Sequence, residues 1–166
     1  MEYLDIFDDQ NRIIGRATKK EVYARKLAHR IVHVMIFNRR GDLALQLRTR
    51  DRSFAPHHWV TSAGGHVSSG ETYEQAARRE MMEETGVDIP LRLRYKDVFQ
   101  DPLRGNIKKF LTTFEVVFDG PFHINPKEGV EQMTFFSLDT IQDMVNRNEK
   151  IHPELLFLLK KHYGIK

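Results

Sequence analysis

The order of hydrophobic and polar positions predicts strands and helices that alternate along the whole chain. YLDIF and IIGRA flank a polar Asp-Asp-Gln-Asn turn and predict two short strands, and KKEVYARKLAH predicts a short helix. The apolar runs IVHVMIFN and LALQLRT lie on either side of a Gly-Asp turn and predict a hairpin. Because both runs are apolar at adjacent as well as alternating positions, we expect helices to cover both faces of the sheet.

The second half of the chain continues the alternation. After RDRSFAPHHWVTSAGGH, a loop-rich stretch with one expected strand near Trp59, the segment GETYEQAARREMMEETGV predicts a helix. Thr72 is its expected N-cap, and the Gln75 side chain is expected to bond back to Thr72 in a capping box. Gly86 is expected to end the helix. The later segments LRLRYKDVFQ, IKKFLTTFEVVF and MTFFS predict strands, and DTIQDMVNR and PELLFLLKKHY predict helices. No repeat or linker interrupts the pattern, so we expect one α/β domain over residues 1–166.

The predicted helix after Thr72 carries acids where its apolar face should continue. Its apolar stripe consists of Tyr73, Ala76 and Ala77, and the same stripe continues with Glu80, Glu83 and Glu84. Like charges at this spacing cost about 0.2–0.5 kcal/mol per pair, and a helix C-terminus disfavours each anion by a further ~0.3–1 kcal/mol. Arg79 reaches only part of this charge, so the pattern predicts a hard divalent cation such as Mg²⁺ among converging carboxylates. The alternative is a solvated acidic helix end held by nearby arginines and lysines.

Glycines bracket the approach to this helix. Gly64, Gly65 and Gly70 predict a loop whose backbone comes close to a ligand. The spacing between these residues and the acids is specific: nine positions within 23 residues, namely Gly65, Glu71, Arg79-Glu80-Met81, Glu83-Glu84 and Gly86-Val87, fit the Nudix box. The chain therefore resembles the Nudix hydrolase superfamily, and the order of strands and helices is similar to that family's α/β/α sandwich with a mixed sheet.

The resemblance implies hydrolysis of a nucleoside diphosphate linked to another moiety, or of a related diphosphate, with Mg²⁺ or Mn²⁺. It implies that Glu80, Glu83 and Glu84 are metal ligands, that the Gly65 carbonyl adds another, and that Gly64 and Gly65 approach the substrate. It also implies that Arg79 orients a glutamate by a salt bridge and that Glu71 holds the loop to the helix. Members of the family are often dimers, so a homodimer is one expected oligomeric state.

The general base and the phosphate-binding residues stay open at this point. Glu83 or Glu84 could take the proton from water, and Glu131 in EQMTFFSLD is a second candidate, with an ordinary acid at a strand entrance as the alternative. Arg48, Arg50 and Arg52 alternate along a predicted strand end, which would point them to one side as phosphate ligands. A solvated, charged strand edge is the rival interpretation.

A narrower resemblance concerns residues 4–87. LDIFDDQNRIIGRAT, HRIVHVMIFNRRGDLALQLR and APHHW resemble the branch of Nudix proteins related to isopentenyl diphosphate isomerase. That enzyme needs a cysteine in the segment TSAGGH, and this chain has no cysteine, so we do not expect isomerase activity. A prenyl diphosphate isomerase-like protein stays as one alternative, and a non-catalytic nucleotide- or RNA-binding protein as another. His33 is expected as a packed, hydrogen-bonded imidazole, and the adjacent His57 and His58 are not expected to share a metal ion.

Composition and charge add little to this picture. The net charge is +3, and residues 1–60 hold twelve Lys and Arg against seven Asp and Glu, an excess that favours anionic small-molecule substrates. We do not expect nucleic acid as a partner. The acidic N-terminus does not have the pattern of a signal peptide and no apolar run reaches membrane-spanning length, so a cytoplasmic protein is expected.

Overall fold

The computed structural model describes residues 1–166 and confirms the predicted alternation of strands and helices. The strands are β1 (Tyr3–Phe7), β2 (Ile13–Thr18), β3 (His29–Phe37), β4 (Leu43–Arg48), β5 (Trp59–Val60), β6 (Ala63–His66), β7 (Arg92–Asp101), β8 (Ile107–Val117) and β9 (Val130–Phe136). The helices are α1 (Lys19–Ala24), α2 (Tyr73–Thr85), α3 (Leu138–Asn146) and α4 (Pro153–His162). Two short 3-10 turns cover Pro102–Arg104 and Pro126–Glu128.

The main sheet is mixed. Its strand order is β5-β4-β3-β8-β7, with β6 paired to β3 and β9 paired to β4. β3 and β8 are parallel over nine residue pairs, whereas every other pair in the sheet is antiparallel. β3 and β4 form the expected hairpin, but they pair only next to the turn, at Ile36↔Ala44 and Phe37↔Leu43. Beyond that point β3 pairs with β6, which carries the two glycines of the candidate site.

Helices cover both faces of this sheet, which confirms the α/β/α sandwich. On one face α2 buries Ala76, Ala77 and Met81 against β3 and β8. On the other face α3 and α4 bury a larger apolar set, in which Ile141, Leu155, Leu158 and Leu159 are fully buried. The sheet is apolar on both sides because each side has a helix layer to pack against. No helix is long and apolar enough to cross a membrane.

A small N-terminal unit packs beside the sheet. β1 and β2 form a separate hairpin, and Leu4, Ala17 and Val22 pack with Ile107 in a third apolar cluster. The Ser69 backbone N–H donates to the Tyr3 carbonyl, which ties this unit to the segment before α2. The Tyr23 hydroxyl of α1 lies 2.7 Å from His66 Nε2 of β6, so α1 lies beside the glycine-containing strand although it is distant from it in sequence.

Two local expectations are wrong. Gly64 and Gly65 lie within strand β6 and not in a loop, because their backbone pairs with His33 and Val32 of β3. β4 ends at Arg48, so Arg50 and Arg52 lie in the connection to β5 and do not alternate on a strand. Because Arg50 and Arg52 lie in a turn, they do not have the alternating side-chain directions of a β-strand, and nothing in the backbone directs both side chains to one side.

Candidate active site

Helix α2 places the glutamates of the candidate site. The Thr72 hydroxyl accepts from the Gln75 backbone N–H and the Gln75 side chain accepts from the Thr72 N–H, which confirms the predicted capping box. Gly86 ends the helix in the left-handed conformation, with φ of 74°. Between these ends, the face that buries Ala77 and Met81 also buries Glu84, which is only 8% exposed. Of the acidic stripe, Glu84 therefore points toward the protein interior, whereas Glu83 is exposed.

Glu84 is a buried carboxylate without a cationic partner. Its Oε1 accepts hydrogen bonds from the Gln46 side chain at 3.2 Å and from the Gly64 backbone N–H at 3.0 Å. The pKa of Glu84 is raised to about 8, because burial and then the neighbouring charge of Glu80 outweigh the two hydrogen bonds, which lower it. These neutral donors orient the carboxylate but leave most of its charge uncompensated.

Glu80 lies beside Gly65 and is also largely buried. Its Oε1 accepts from Arg79 Nη1 at 2.9 Å. Burial raises the pKa of Glu80 to about 7, which shows that Arg79 offsets only part of the cost of burying the charge. A Cβ atom at Gly65 would collide with the Glu80 carboxylate, so the absence of a side chain at Gly65 makes room for it.

Arg79 connects the helix to the preceding segment. Its Nε and Nη2 donate to the two carboxylate oxygens of Glu71, each at 2.8 Å, and Nη2 also donates to the His66 carbonyl at 3.2 Å. Glu71 Oε1 accepts from the Ser68 backbone N–H at 2.8 Å, and the hydrogen bonds from Arg79 lower the pKa of Glu71. Arg79 thus links Glu80 to Glu71, and Glu71 links the segment before α2 to the helix.

The carboxylates fit a divalent cation only in combination with other ligands. Arg79 Nη1 lies 2.9 Å from Glu80 Oε1 and 3.5 Å from Glu83 Oε2, so its guanidinium lies between these acids. No group of three His, Cys, Asp or Glu side chains in this structure is arranged to hold a metal ion by itself. Glu84, which has no ion pair, and Glu80, which Arg79 compensates only in part, match the oxygen ligands that Mg²⁺ and Mn²⁺ prefer. Mg²⁺ characteristically completes its shell with water and phosphate.

A cleft of about 690 Å³ runs past these residues. Gly64, Gly65 and all three glutamates line it on one side. Other walls come from α1, the β4–β5 connection, the turn over Pro102–Arg104 and the segment 126–129. A small-molecule ligand in this cleft therefore contacts parts of the chain far outside the sequence motif.

The structure separates the predicted arginines. Arg48 lines the cleft, where its Nε and Nη2 donate to the carbonyls of Ala55 and Phe54 at 3.2 and 2.8 Å. Burial, together with repulsion from Arg52, lowers the pKa of Arg48 to about 10. Arg52 also lines the cleft, whereas Arg50 is exposed and is not among the lining residues. The expectation that Arg50 faces the ligand is therefore wrong, because β4 ends before it.

Glu131 lies away from the other acids. Its Oε2 lies 3.0 Å from His57 Nε2, and the Glu131 side chain is 40% exposed and not part of the cleft lining. His57 has a φ of 57°, which is the left-handed region, so the chain is not extended at this residue. The structure thus places Glu131 in a surface pair and Glu80, Glu83 and Glu84 along the cleft.

Comparison with known proteins decides the family. A family model described as the NUDIX domain matches residues 27–156, which is most of the chain. The chain belongs to the Nudix family. It is therefore a hydrolase of phosphorus-containing acid anhydrides that acts on small-molecule diphosphates, and hydrolases of this family generally use divalent metal ions.

Relatives and solved structures agree with this assignment. An uncharacterized Nudix hydrolase of Yersinia pestis is 32% identical over 129 residues, which cover 77% of this chain and 69% of that protein. A second, from a Nostoc species, is 28% identical over 165 residues, which cover 99% of this chain and 97% of the relative. The crystal structure of DR0079 from Deinococcus radiodurans superposes with a TM-score of 0.83 at 27% identity, covering 98% of this chain and 99% of that one. A MutT protein from Methanosarcina mazei shares the fold at 20% identity, with a TM-score of 0.64 over 78% of this chain and 87% of that one.

This Nudix chain also carries a buried polar network on the cleft floor that the sequence did not predict. Lys109 Nζ lies 3.1 Å from Asp101 Oδ2 and 2.9 Å from Glu154 Oε2. Glu154 Oε1 lies 2.9 Å from His33 Nε2, and His33 Nδ1 lies 2.8 Å from the Thr61 hydroxyl. Burial raises the pKa of Glu154, but its partners His33 and Lys109 outweigh burial and hold that pKa well below its usual value.

The network explains how helix α4 reaches the site. The Thr61 hydroxyl donates to the Ala63 carbonyl at 3.0 Å, immediately before the glycines of β6. Glu154 and His33 therefore fix the strand on which the Nudix glycines lie, and His33 is the hydrogen-bonded imidazole that we expected. A polar residue inside an apolar run is the sequence feature that could have predicted such buried polar contacts. His33 in IVHVMIF is an example in this network, and Gln46 in LALQL is an example beside Glu84.

Proposed function

We propose that this Nudix hydrolase cleaves the diphosphate linkage of a nucleoside diphosphate derivative or a related organic diphosphate with Mg²⁺ or Mn²⁺. The proposed metal ligands are Glu80, Glu83, Glu84 and the main-chain carbonyl of Gly65. One observation carries the proposal: the carboxylates of Glu80 and Glu84 lie one helical turn apart, line the cleft beside Gly65 and Gly64, and are buried enough to raise their pKa values to about 7 and about 8. A cation bound between them would remove the cost of keeping both charged in the protein interior.

The proposed division of roles follows from the contacts of each residue. Glu84 is oriented by Gln46 and Gly64, and Glu80 by Arg79, so both carboxylates are held before a ligand arrives. A bound divalent cation supplies charge neutralisation at the phosphoryl oxygens and lowers the pKa of a bound water. Arg48 has donor capacity left after its two backbone hydrogen bonds and is placed to contact a phosphate in the cleft.

Glu83 and Glu84 stay as the candidates for the group that accepts a proton from the attacking water. Glu83 is exposed on the cleft, with Arg79 as its ion-pair partner at 3.5 Å. Glu84 has its Oε1 occupied by two donors, and no hydrogen bond involves its other oxygen. Glu131 is disfavoured because it pairs with His57 outside the cleft.

The test is a substrate panel with the full chain. The protein is stripped with EDTA and incubated with nucleoside diphosphates and triphosphates, nucleotide sugars, dinucleoside polyphosphates and prenyl diphosphates, each with Mg²⁺, Mn²⁺ or EDTA. ³¹P NMR in ¹⁸O-labelled water identifies the products and the phosphorus that is attacked. We expect turnover only with a divalent ion and a loss of more than about 100-fold in kcat/KM in Glu84→Gln and in Glu83→Gln.

Glu74→Gln is the matched control, because Glu74 is an exposed glutamate in the first turn of the same helix and does not line the cleft. Turnover in EDTA equal to that in Mg²⁺ would contradict the proposed metal dependence. Deuterium exchange into isopentenyl diphosphate without phosphate release would support the isomerase alternative instead. Nucleotide binding that survives EDTA, with no turnover of any member of the panel, would support the non-catalytic binder.

A further inference from the structure

The cleft contains a group of positive side chains that the Nudix motif does not include. Lys19 enters from α1, Arg52 from the β4–β5 connection, and Arg104 from the 3-10 turn between β7 and β8. These three segments are far apart in the sequence and meet only in the folded chain. We call Lys19, Arg52 and Arg104 the basic group.

The basic group lacks protein partners. Lys19, Arg52 and Arg104 take part in none of the protein's salt bridges, and their side chains donate none of its hydrogen bonds. Two other cations of the same cleft differ: Arg79 pairs with Glu71 and Glu80, and Lys109 pairs with two buried acids. The cleft therefore contains two kinds of cation: some are paired with acids of the protein, and the basic group is free to bind a ligand.

The members of the basic group are close enough to repel one another. Desolvation by the surrounding walls lowers the pKa of Lys19, and repulsion from Arg52, Arg104 and Arg48 adds to this, while Glu2 acts in the opposite direction. Arg48 is affected in the same way by Arg52 and Arg104. Like charges held together without an ion-pair partner raise the free energy of the empty cleft and favour the binding of an anion.

Arg104 is held in a defined orientation. Its Cζ lies 3.7 Å from the ring centroid of Phe54 and 4.3 Å from that of Tyr23, so aromatic rings contact the guanidinium from two segments. The aromatic rings contact the guanidinium group of Arg104 and do not accept hydrogen bonds from its N–H donors. These donors, which lie in the guanidinium plane, are therefore without an acceptor. A planar fork of free donors that is already fixed by packing matches the oxygens of a phosphate group.

We propose that the basic group binds a phosphate of the substrate other than the two of the scissile linkage, so that the preferred substrates are organic diphosphates that carry at least one further phosphate. The inference rests on the proposed function, in which cations held by Glu80 and Glu84 neutralise the scissile diphosphate. Three more unpaired positive charges in the same cleft exceed what that linkage requires. A carboxylate would need only one of them, whereas a phosphate group presents several oxygens and about two negative charges.

The test compares substrates that share a diphosphate and differ by one phosphate. The pairs are a nucleoside diphosphate and its triphosphate, NADH and NADPH, and dephospho-coenzyme A and coenzyme A. We expect the member with the additional phosphate to have a kcat/KM about tenfold higher in at least one pair, mainly through KM. Lys19→Gln and Arg104→Gln should reduce this ratio toward one, and Arg104→Lys should restore part of it.

Matched controls are Lys20→Gln, at the next exposed position of α1, and Arg92→Gln, an exposed arginine of β7; neither residue lines the cleft. Both should keep the wild-type ratio. Thermal melting checks that Arg104→Gln is folded, since Arg104 contacts two aromatic rings. Hydrolysis without any preference within the pairs, in the wild type and in the variants, would overturn the inference while leaving the proposed function intact.

A binding experiment separates the inference from catalysis. Isothermal titration of tripolyphosphate in EDTA should show binding that weakens about tenfold in Lys19→Gln and Arg104→Gln but not in Lys20→Gln. This result can be obtained even if no diphosphate is hydrolysed, and equal affinities in all variants would overturn the inference. Orthophosphate should compete with the additional phosphate of the substrate. Non-competitive inhibition without preference within the pairs would assign the basic group to a free anion and would also overturn it.

Discussion

Gly65→Ala tests whether the position of the Glu80 carboxylate matters for activity. A Cβ at residue 65 would lie 2.5 Å from the carboxyl carbon of Glu80, whereas ordinary van der Waals contact begins at 3.4 Å. The carboxylate must therefore move by about 1 Å, and a displacement of that size in an active site costs on the order of 10²-fold in rate. Gly65 does not have a positive φ, so alanine fits its backbone, and we expect the free energy of unfolding to change by less than about 1 kcal/mol.

The assay measures kcat/KM and the Mg²⁺ concentration for half-maximal activity, together with urea denaturation. We expect the variant to be folded and to lose about 100-fold in kcat/KM. The Mg²⁺ concentration for half-maximal activity should rise, because a displaced Glu80 carboxylate binds the ion less well. Gly15→Ala is the control, because its Cβ would meet Ile6 at an ordinary 3.6 Å. Gly64→Ala should instead unfold more easily, since its Cβ would lie 2.7 Å from the Val32 main-chain oxygen. A folded Gly65→Ala protein with wild-type activity and Mg²⁺ dependence would refute the role assigned to this contact.

Three further outcomes follow from the same structure. Glu154→Gln should lower the free energy of unfolding by about 3–5 kcal/mol, measured by urea denaturation, because it leaves the buried Lys109 partly unpaired; a loss below about 1 kcal/mol would contradict this. Burial lowers the pKa of His29 and of His152 from 6.5 to about 4, so the unfolded chain binds protons first as the pH falls. Stability should therefore decrease by about 1 kcal/mol per histidine between about pH 7 and about pH 5.5, and His29→Asn should show a weaker pH dependence. Glu131→Gln should change kcat by less than about threefold, and a loss of 100-fold or more would make Glu131 the base.

The local parts of this protein follow from the sequence. Capping residues, turn glycines and apolar periodicity each act over a few neighbours, and so the sequence predicted α2 from its Thr72 cap to its Gly86 end. The same holds for the spacing of Glu80, Glu83 and Glu84, which one helix fixes without help from the rest of the chain. The sequence also predicted the order of strands and helices, because residues that must be buried on both faces of a sheet imply a helix layer on each side.

Contacts between distant residues were decided by the tertiary structure. Glu154 meets His33 across 121 positions of sequence, and Arg104 meets both Tyr23 and Phe54, because packing of α4 and of the β7–β8 turn brings them to one cleft. Tertiary structure also explains why Arg50 does not line the cleft. β4 ends before Arg50, and where a strand ends depends on how far its partner strands continue beside it. Local patterns state what each segment prefers, whereas the environment of a charged side chain depends on which other segments surround it.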